Sequence, residues 1–413
     1  MRRLVVVLVG LSALWPAPGA WAAGWCGTGV ATADRPDIVT GAQVHAIYAT
    51  PADGPDNFAA FANALADDTA AIDAWWRGQD PARTLRFDLA RFPTCTGLDV
   101  TSARLSLTGA TVASGGSGAF GAIVGSLGSL GYFHPFKRYL VYYDGPPFDP
   151  SVCGTASGQF DRGPSMAVVW LNACPDGPRD YVAAHELLHS LGALPAGAPH
   201  PCSVRDSGHA CDSPLDILQP RLSGQPLASE VLDVNHDDYY GHAGAWQDIQ
   251  DSVWLRRLDA PQQRLSLVLR GSGRVTSDLP GVDCGAACGT DWDAGSVLTL
   301  SAEGTARTRF IRWTGACSGV DDCVVTLAGA RTATAIFGPV RIPVRVSTTG
   351  RGRVSCTPRC SPSFSAGRRL TLRAVAVSGW RFVRWSGACK GTSPVCRPAT
   401  NFPVSARATF RRR

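Results

Sequence analysis

The spacing of apolar residues changes character along this chain. From Asn57 to Trp76, Phe58, Phe61, Leu65, Ile72 and Trp75 recur at close to helical spacing and predict a helix, with Thr69 the one polar residue on the stripe. A strand is expected before it at Ala42–Ala49, and others at Thr84–Leu89 and Arg138–Tyr143, with a glycine-rich apolar helix over Ala119–Leu130 between them. Met166–Asn172 reads as a further strand running through Ala173-Cys-Pro175 into a turn at Asp176-Gly-Pro178. A helix then opens near Asp180, whose carboxylate suits the positive end of the helix dipole, and Gly192 supplies its stop.

Beyond Arg264 the period drops to two and the chain repeats itself. Gly271-Ser-Gly-Arg-Val275 returns as Gly350-Arg-Gly-Arg-Val354, and Trp313-Thr-Gly-Ala-Cys317 as Trp385-Ser-Gly-Ala-Cys389. Cys284 and Cys288 return as Cys356 and Cys360, and Ala335-Ile-Phe337 as Ala408-Thr-Phe410. Runs such as Val297–Ser301 and Leu370–Ala374 alternate as half-buried strands do. Residues 264–338 and 339–413 are therefore expected to be two small all-β modules, with Trp313 and Trp385 in their cores. Their signatures resemble divergent bacterial repeat domains found at the C-termini of exported and surface proteins. No catalytic constellation is visible in them.

Charge separates the two modules. Pro339–Arg413 holds fifteen arginines and one lysine and no aspartate or glutamate, about +16, while the whole chain carries +6. Such a segment should seek anionic surfaces through screened electrostatics, whether cell-wall polymers, acidic polysaccharide, anionic lipid headgroups or extracellular nucleic acid; it carries no specific nucleic-acid motif. At the other end, Arg2 and Arg3, an apolar stretch from Leu4 to Trp15 and Ala20-Trp-Ala22 read as a signal peptide over residues 1–22. Its apolar stretch is shorter than the roughly 20 residues of a membrane span, so no span is expected after cleavage. Fourteen cysteines fall into neighbouring couples: 26 with 95, 153 with 174, 202 with 211, 284 with 288, 317 with 323, 356 with 360 and 389 with 396. Disulfides and a secreted, extracellular setting are the expectation.

The candidate chemistry lies in His185-Glu-Leu-Leu-His189. Two imidazoles four residues apart on a helix point the same way and can grip one zinc ion, which leaves Glu186 beside it as the candidate general base. Extended to Gly192, the motif resembles that of the metzincin clan of metalloproteases, as does the order strand, long helix, strands, zinc helix. The resemblance implies a third histidine ligand three residues after the glycine, and here Pro195 stands there. His209 and His200 compete for that role. The stretch from His209 to Pro220 resembles the clan's segment leading to its methionine turn, which favours His209, with Leu218 in the methionine's place and Asp212 as an outside candidate or orienting acceptor. A Cys202–Cys211 bond would pin this loop.

Farther on, Asp233, Asn235, Asp237 and Asp238 gather hard oxygen ligands that could take calcium, or else cap the turn behind the site; His236 and His242 read as structural. The fold class expected is thus an α/β (α+β) zincin-like catalytic domain at 23–262 followed by two β modules. The function expected is a secreted zinc endopeptidase acting on protein or peptide. Its rivals are a surface or wall-binding protein with a structural or remnant zinc site, and a zinc hydrolase acting on another amide, such as one in peptidoglycan.

Overall fold

The computed structural model describes residues 24–413 apart from 28, 159–162, 164, 176, 204–205 and 286–287. The signal peptide expected at 1–22 lies outside the described residues. Two compact units divide the chain, Met1–Asp259 and Ala260–Arg413. No helix among the described residues is long and apolar enough to cross a membrane. All seven cysteine couples expected from neighbour order are disulfides.

The first unit is built on a five-stranded sheet. Its strands are β1 (Gln43–Thr50), β5 (Val100–Arg104), β6 (Lys137–Tyr143), β7 (Gly154–Ala156) and β8 (Ser165–Trp170), in the order β5-β1-β6-β8-β7. All neighbours run parallel except β7, which lies antiparallel to β8 at the edge. Every residue of β1, β6 and β8 is buried. That explains their nearly unbroken apolar runs, since a parallel strand covered on both faces has no solvent side to mark with polar residues. Ile47, Ala49, Tyr139, Val141, Tyr143, Met166, Val168 and Trp170 share one core with Ile123 and Leu127 of α3 (Ala119–Ser129). A short helix, α2 (Gly109–Ala113), precedes α3. Packed against each other are α1 (Phe58–Gln79) and α4 (Arg179–Ser190). Thr69, the polar residue on the α1 stripe, is fully buried and donates its hydroxyl to Ala66 O.

The strand expected over Thr84–Leu89 is not part of this sheet. Instead β2 (Arg83–Leu85) pairs with β11 (Leu255–Arg257), and β3 (Leu89–Arg91) forms a hairpin with β4 (Thr96–Leu98). Between β2 and β3 the chain meets β1 at an isolated bridge of Phe87 with Val44, where Val44 N–H donates to Arg86 O and Asp88 N–H to Val44 O. Charge is the reason. Asp88 is fully buried, bonding Lys137 Nζ at 2.8 Å and His45 Nδ1 at 2.9 Å, so its segment follows an ion-pair network rather than a sheet edge. The edge position goes to β5, which the hydrophobic pattern did not single out.

The second unit holds two like modules. The first comprises β12 (Gln262–Arg270), β13 (Gly273–Ser277), β14 (Asp283–Cys284), β15 (Cys288–Asp293), β16 (Val297–Gly304), β17 (Thr308–Gly315), β18 (Cys323–Thr326) and β19 (Arg331–Pro339). They form two four-stranded sheets, β15-β12-β19-β17 and β14-β13-β16-β18. The second module repeats this with β20 (Arg341–Thr349), β21 (Gly352–Thr357), β22 (Ser363–Ser365), β23 (Thr371–Ala376), β24 (Trp380–Gly387), β25 (Val395–Cys396) and β26 (Val404–Arg412), as β22-β20-β26-β24 and β21-β23-β25. Each core is filled from both sheets, around Trp313 in one and Trp385 in the other. Gly271 and Gly350 open the same turn at φ +94° and +85°; a Cβ there would meet the carbonyl oxygen of Phe337 or Phe410 at 2.6 and 2.3 Å.

Candidate active site

Helix α4 is anchored at its first turn, where Arg179 grips Asp68 of α1 through Nε at 2.5 Å and a terminal nitrogen at 2.9 Å. Asp180 accepts the N–H of Tyr181, and Gly192 at φ +83° ends the helical run two residues past Ser190. Helical spacing then aims His185 and His189 at one point, their Nε2 atoms 3.0 Å apart. The third imidazole arrives from a hairpin of β9 (Pro201–Ser203) and β10 (Asp206–Ala210), closed by Cys202–Cys211. His209 on β10 brings its ring centroid to 5.3 Å from His185 and 4.9 Å from His189. Ligand atoms of all three lie within 4.8 Å of one another.

Two of these rings are oriented from behind. His185 Nδ1 lies 2.6 Å from Ile217 O and His209 Nδ1 lies 2.6 Å from Asp206 Oδ1, which leaves each Nε2 for the shared point. Burial keeps the helix imidazoles neutral. It lowers His185 to about 4, opposed by the Ile217 carbonyl and aided by His209, and it holds His189 well below the usual range, with His185 and His209 adding to the effect. Three imidazole nitrogens facing one point suit zinc, whose ligands sit at about 2.0–2.1 Å. Glu186 is 6% exposed, and burial pushes its carboxyl up to about 8. It shares with His189 and His209 a cleft of about 750 Å³, whose walls include Gly154, Phe148 and Leu194.

His200 is turned elsewhere. Its Nδ1 lies 3.1 Å from Asp238 Oδ2 and 3.6 Å from Asp237 Oδ1, and its backbone N–H donates to Asp238 Oδ1. With Asp212 these groups form a separate cluster, so Asp237 and Asp238 point to His200 and not to Asp233. Asp233 is fully buried and accepts the backbone N–H groups of Asp238, Tyr239 and Tyr240, which ties the turn containing Asn235. A further group, the exposed Asp34 with the buried His45, Asp88 and Asp99, already holds the cations of Lys137 and Arg35.

Leu218, in the methionine's place, is fully buried and follows the carbonyl that orients His185. Three contributors escaped sequence reading. Asp206 stands three residues before His209, a spacing that could have been noticed. The Ile217 carbonyl leaves no mark in side-chain patterns. Gly154 on β7 lies so close to Glu186 that a Cβ would meet its Cγ at 2.4 Å; 32 residues of separation hide that contact.

Comparison with known proteins adds one family. Residues 342–413 match the divergent InlB B-repeat domain. No curated protein matches the chain. Among solved structures, catalytically inactive OgpA from Akkermansia muciniphila in complex with an O-glycopeptide (glycodrosocin) substrate is similar at 11% identity, over 74% of this chain and 86% of that one, with a TM-score of 0.28. Wild-type OgpA from the same organism is similar at 9% identity, over 92% of this chain and 95% of that one, with a TM-score of 0.27. Superpositions this loose fix neither fold nor chemistry.

Proposed function

We propose that the chain is a secreted zinc-dependent endopeptidase with a zincin-like catalytic unit, in which His185, His189 and His209 hold the ion and Glu186 is the general base. The observation that carries this reading is the convergence of three imidazoles beside a buried carboxyl at the wall of an open cleft. When bound, zinc supplies a Lewis acid and a water of lowered pKa. Glu186 takes the proton of the attacking water on its carboxylate and delivers it to the leaving nitrogen. Asp206 and the Ile217 carbonyl keep His209 and His185 in the tautomer that presents Nε2. Gly154 leaves room for Glu186 to stay against β7. Seven disulfides suit an oxidising extracellular setting.

The test is hydrolysis of a mixed denatured-protein substrate by the zinc-loaded protein beside Glu186→Ala, with bound zinc measured in both. The variant is expected to keep its zinc and lose cleavage by about 10²–10⁴-fold. Cleavage retained in Glu186→Ala would overturn the assignment of the base. A zinc-loaded parent that cleaves nothing would give precedence to a second reading, a surface-binding protein with a structural site, which the B-repeat match favours.

A further inference from the structure

The two β modules are an internal experiment in surface charge, because the same sheet occurs twice with different outward residues. In the first module the outward positions of β12 and β19 include Gln262, Ser266, Thr334 and Gly338, and β15 presents Asp291 and Asp293 beside Arg264 and Gln262. Through the shared pairing, the second module places Arg341, Arg345, Arg407 and Arg411 at the first four positions and Ser363 and Ser365 at the aspartates. On one face four cations and no anions stand where the first module has none of these cations and two aspartates, while Pro343 and Thr349 replace Arg264 and Arg270, a net gain of two cations and loss of two anions.

Two more arginines complete it. Strand β24 carries an irregularity between Phe382 and Arg384, and the extra residue lets both Arg381 and Arg384 face outward while Trp385 stays in the core. The first module has the same device at Arg309 and Arg312. Arg381 sits directly opposite Arg411 across the strands. Like charges so placed repel, and residues 339–413 hold no aspartate or glutamate to relieve them. Arg341 and Arg345 on β20, and Arg407 and Arg411 on β26, form two rows in which partners lie about 13 Å apart along the strand.

We propose that the exposed face of β22-β20-β26-β24 is a binding surface for an acidic polysaccharide. Its chemistry favours that polymer over other polyanions. Between the arginines lie Ser347, Thr349, Ser386, Ser405 and Thr409, hydroxyls suited to sugar oxygens. The outward positions of these strands carry no aromatic ring on which a base could stack, and beside the exposed Pro343 and the half-buried Val383 no apolar side chain that could enter a lipid headgroup layer. Guanidinium groups bind carboxylates in bidentate fashion. Arg407 Nε is already 3.3 Å from Ser347 Oγ, so the two types of donor are side by side. This inference stands apart from the peptidase reading, since it uses no residue of the first unit.

The experiment measures binding of the full secreted chain to polygalacturonate, with neutral dextran as the blank and double-stranded DNA and phosphatidylglycerol vesicles as rival ligands. R341Q/R345S/R407T/R411G gives the face the residues of the first module, which folds with them. Its Kd for polygalacturonate should rise at least about tenfold, with a shallower salt dependence. R353Q/R359Q/R373Q/R397Q removes the same charge away from the face and should change Kd less than about threefold. If the first variant melts early, R341Q/R345S alone should show the same direction against R353Q/R373Q. Equal weakening by both sets would overturn the face and leave only net charge. Tighter binding to DNA or to vesicles than to polygalacturonate would overturn the polysaccharide.

Discussion

The two units of this protein hold charge in opposite ways. In the first, charge is taken inside and matched: Lys137 is 1% exposed and bonds Asp34, Asp37 and Asp88 at 2.5, 2.7 and 2.8 Å. In the second module of the second unit, fifteen arginines stand at the surface with no aspartate or glutamate in their own segment. Inside, a charge is tolerated only with its partner, so each one fixes its neighbours. Outside, water screens the charges and they are free to meet a ligand. The proposed catalytic site lies in the first unit and the proposed binding face in the second.

The largest effect should therefore come from removing one buried partner. Lys137→Met leaves the carboxylates of Asp88, Asp37 and Asp34 without their shared cation; although burial alone would lower the Lys137 pKa, the field of Asp88, then Asp37 and Asp34, holds it raised. The expected cost is about 3–5 kcal/mol in the first unit's urea transition. Arg345→Met on the outer face should leave the transitions in place. A Lys137→Met protein as stable as its parent would show that the buried network is not what ties β6 to the segment around Asp88.

Behind that in size comes Asp206→Asn. The carboxylate accepts from His209 Nδ1, so its neutralisation should weaken zinc affinity about 10–100-fold in a chelator competition, with hydrolysis recovering at high zinc. Unchanged affinity would mean that the hairpin alone orients His209. Gly154→Ala should be of similar or smaller size, about 1–3 kcal/mol of overpacking. The new methyl would displace Glu186, so hydrolysis should fall while bound zinc does not. A fall in zinc instead would mean that β7 supports the imidazoles rather than the base.

This division also explains what could be read from sequence. The repeats, the cysteine couples and the basic segment were legible because alternation, spacing and charge are local properties. The pair His185 and His189 with Glu186 was legible for the same reason, being one turn of helix. The edge strand β5 was not, since Val100–Arg104 is short and bounded by a buried aspartate, Asp99, that looks like a loop residue. Nor was the course of Thr84–Leu89, whose Asp88 is held by Lys137 from 49 residues away. The oxygens on His185 and His209 divide likewise: a backbone carbonyl has no sequence signature, whereas Asp206 is three residues from its ring.

The smallest effect is expected from returning the first module's aspartates to the second, as Ser363→Asp with Ser365→Asp. Residue 365 lies opposite Arg341, so the change creates an exposed ion pair where Asp293 lies opposite Gln262 in the first module. Exposed pairs contribute little, and the melting temperature should move by less than about 2 °C. Polygalacturonate binding should nevertheless weaken, because two carboxylates would compete with the polymer for the guanidinium groups. A large rise in melting temperature would mean that the arginine face is strained by its own repulsion. The contrast between the units would then be one of stored repulsion outside against matched charge inside, and screening alone would no longer explain how the second module tolerates its charge.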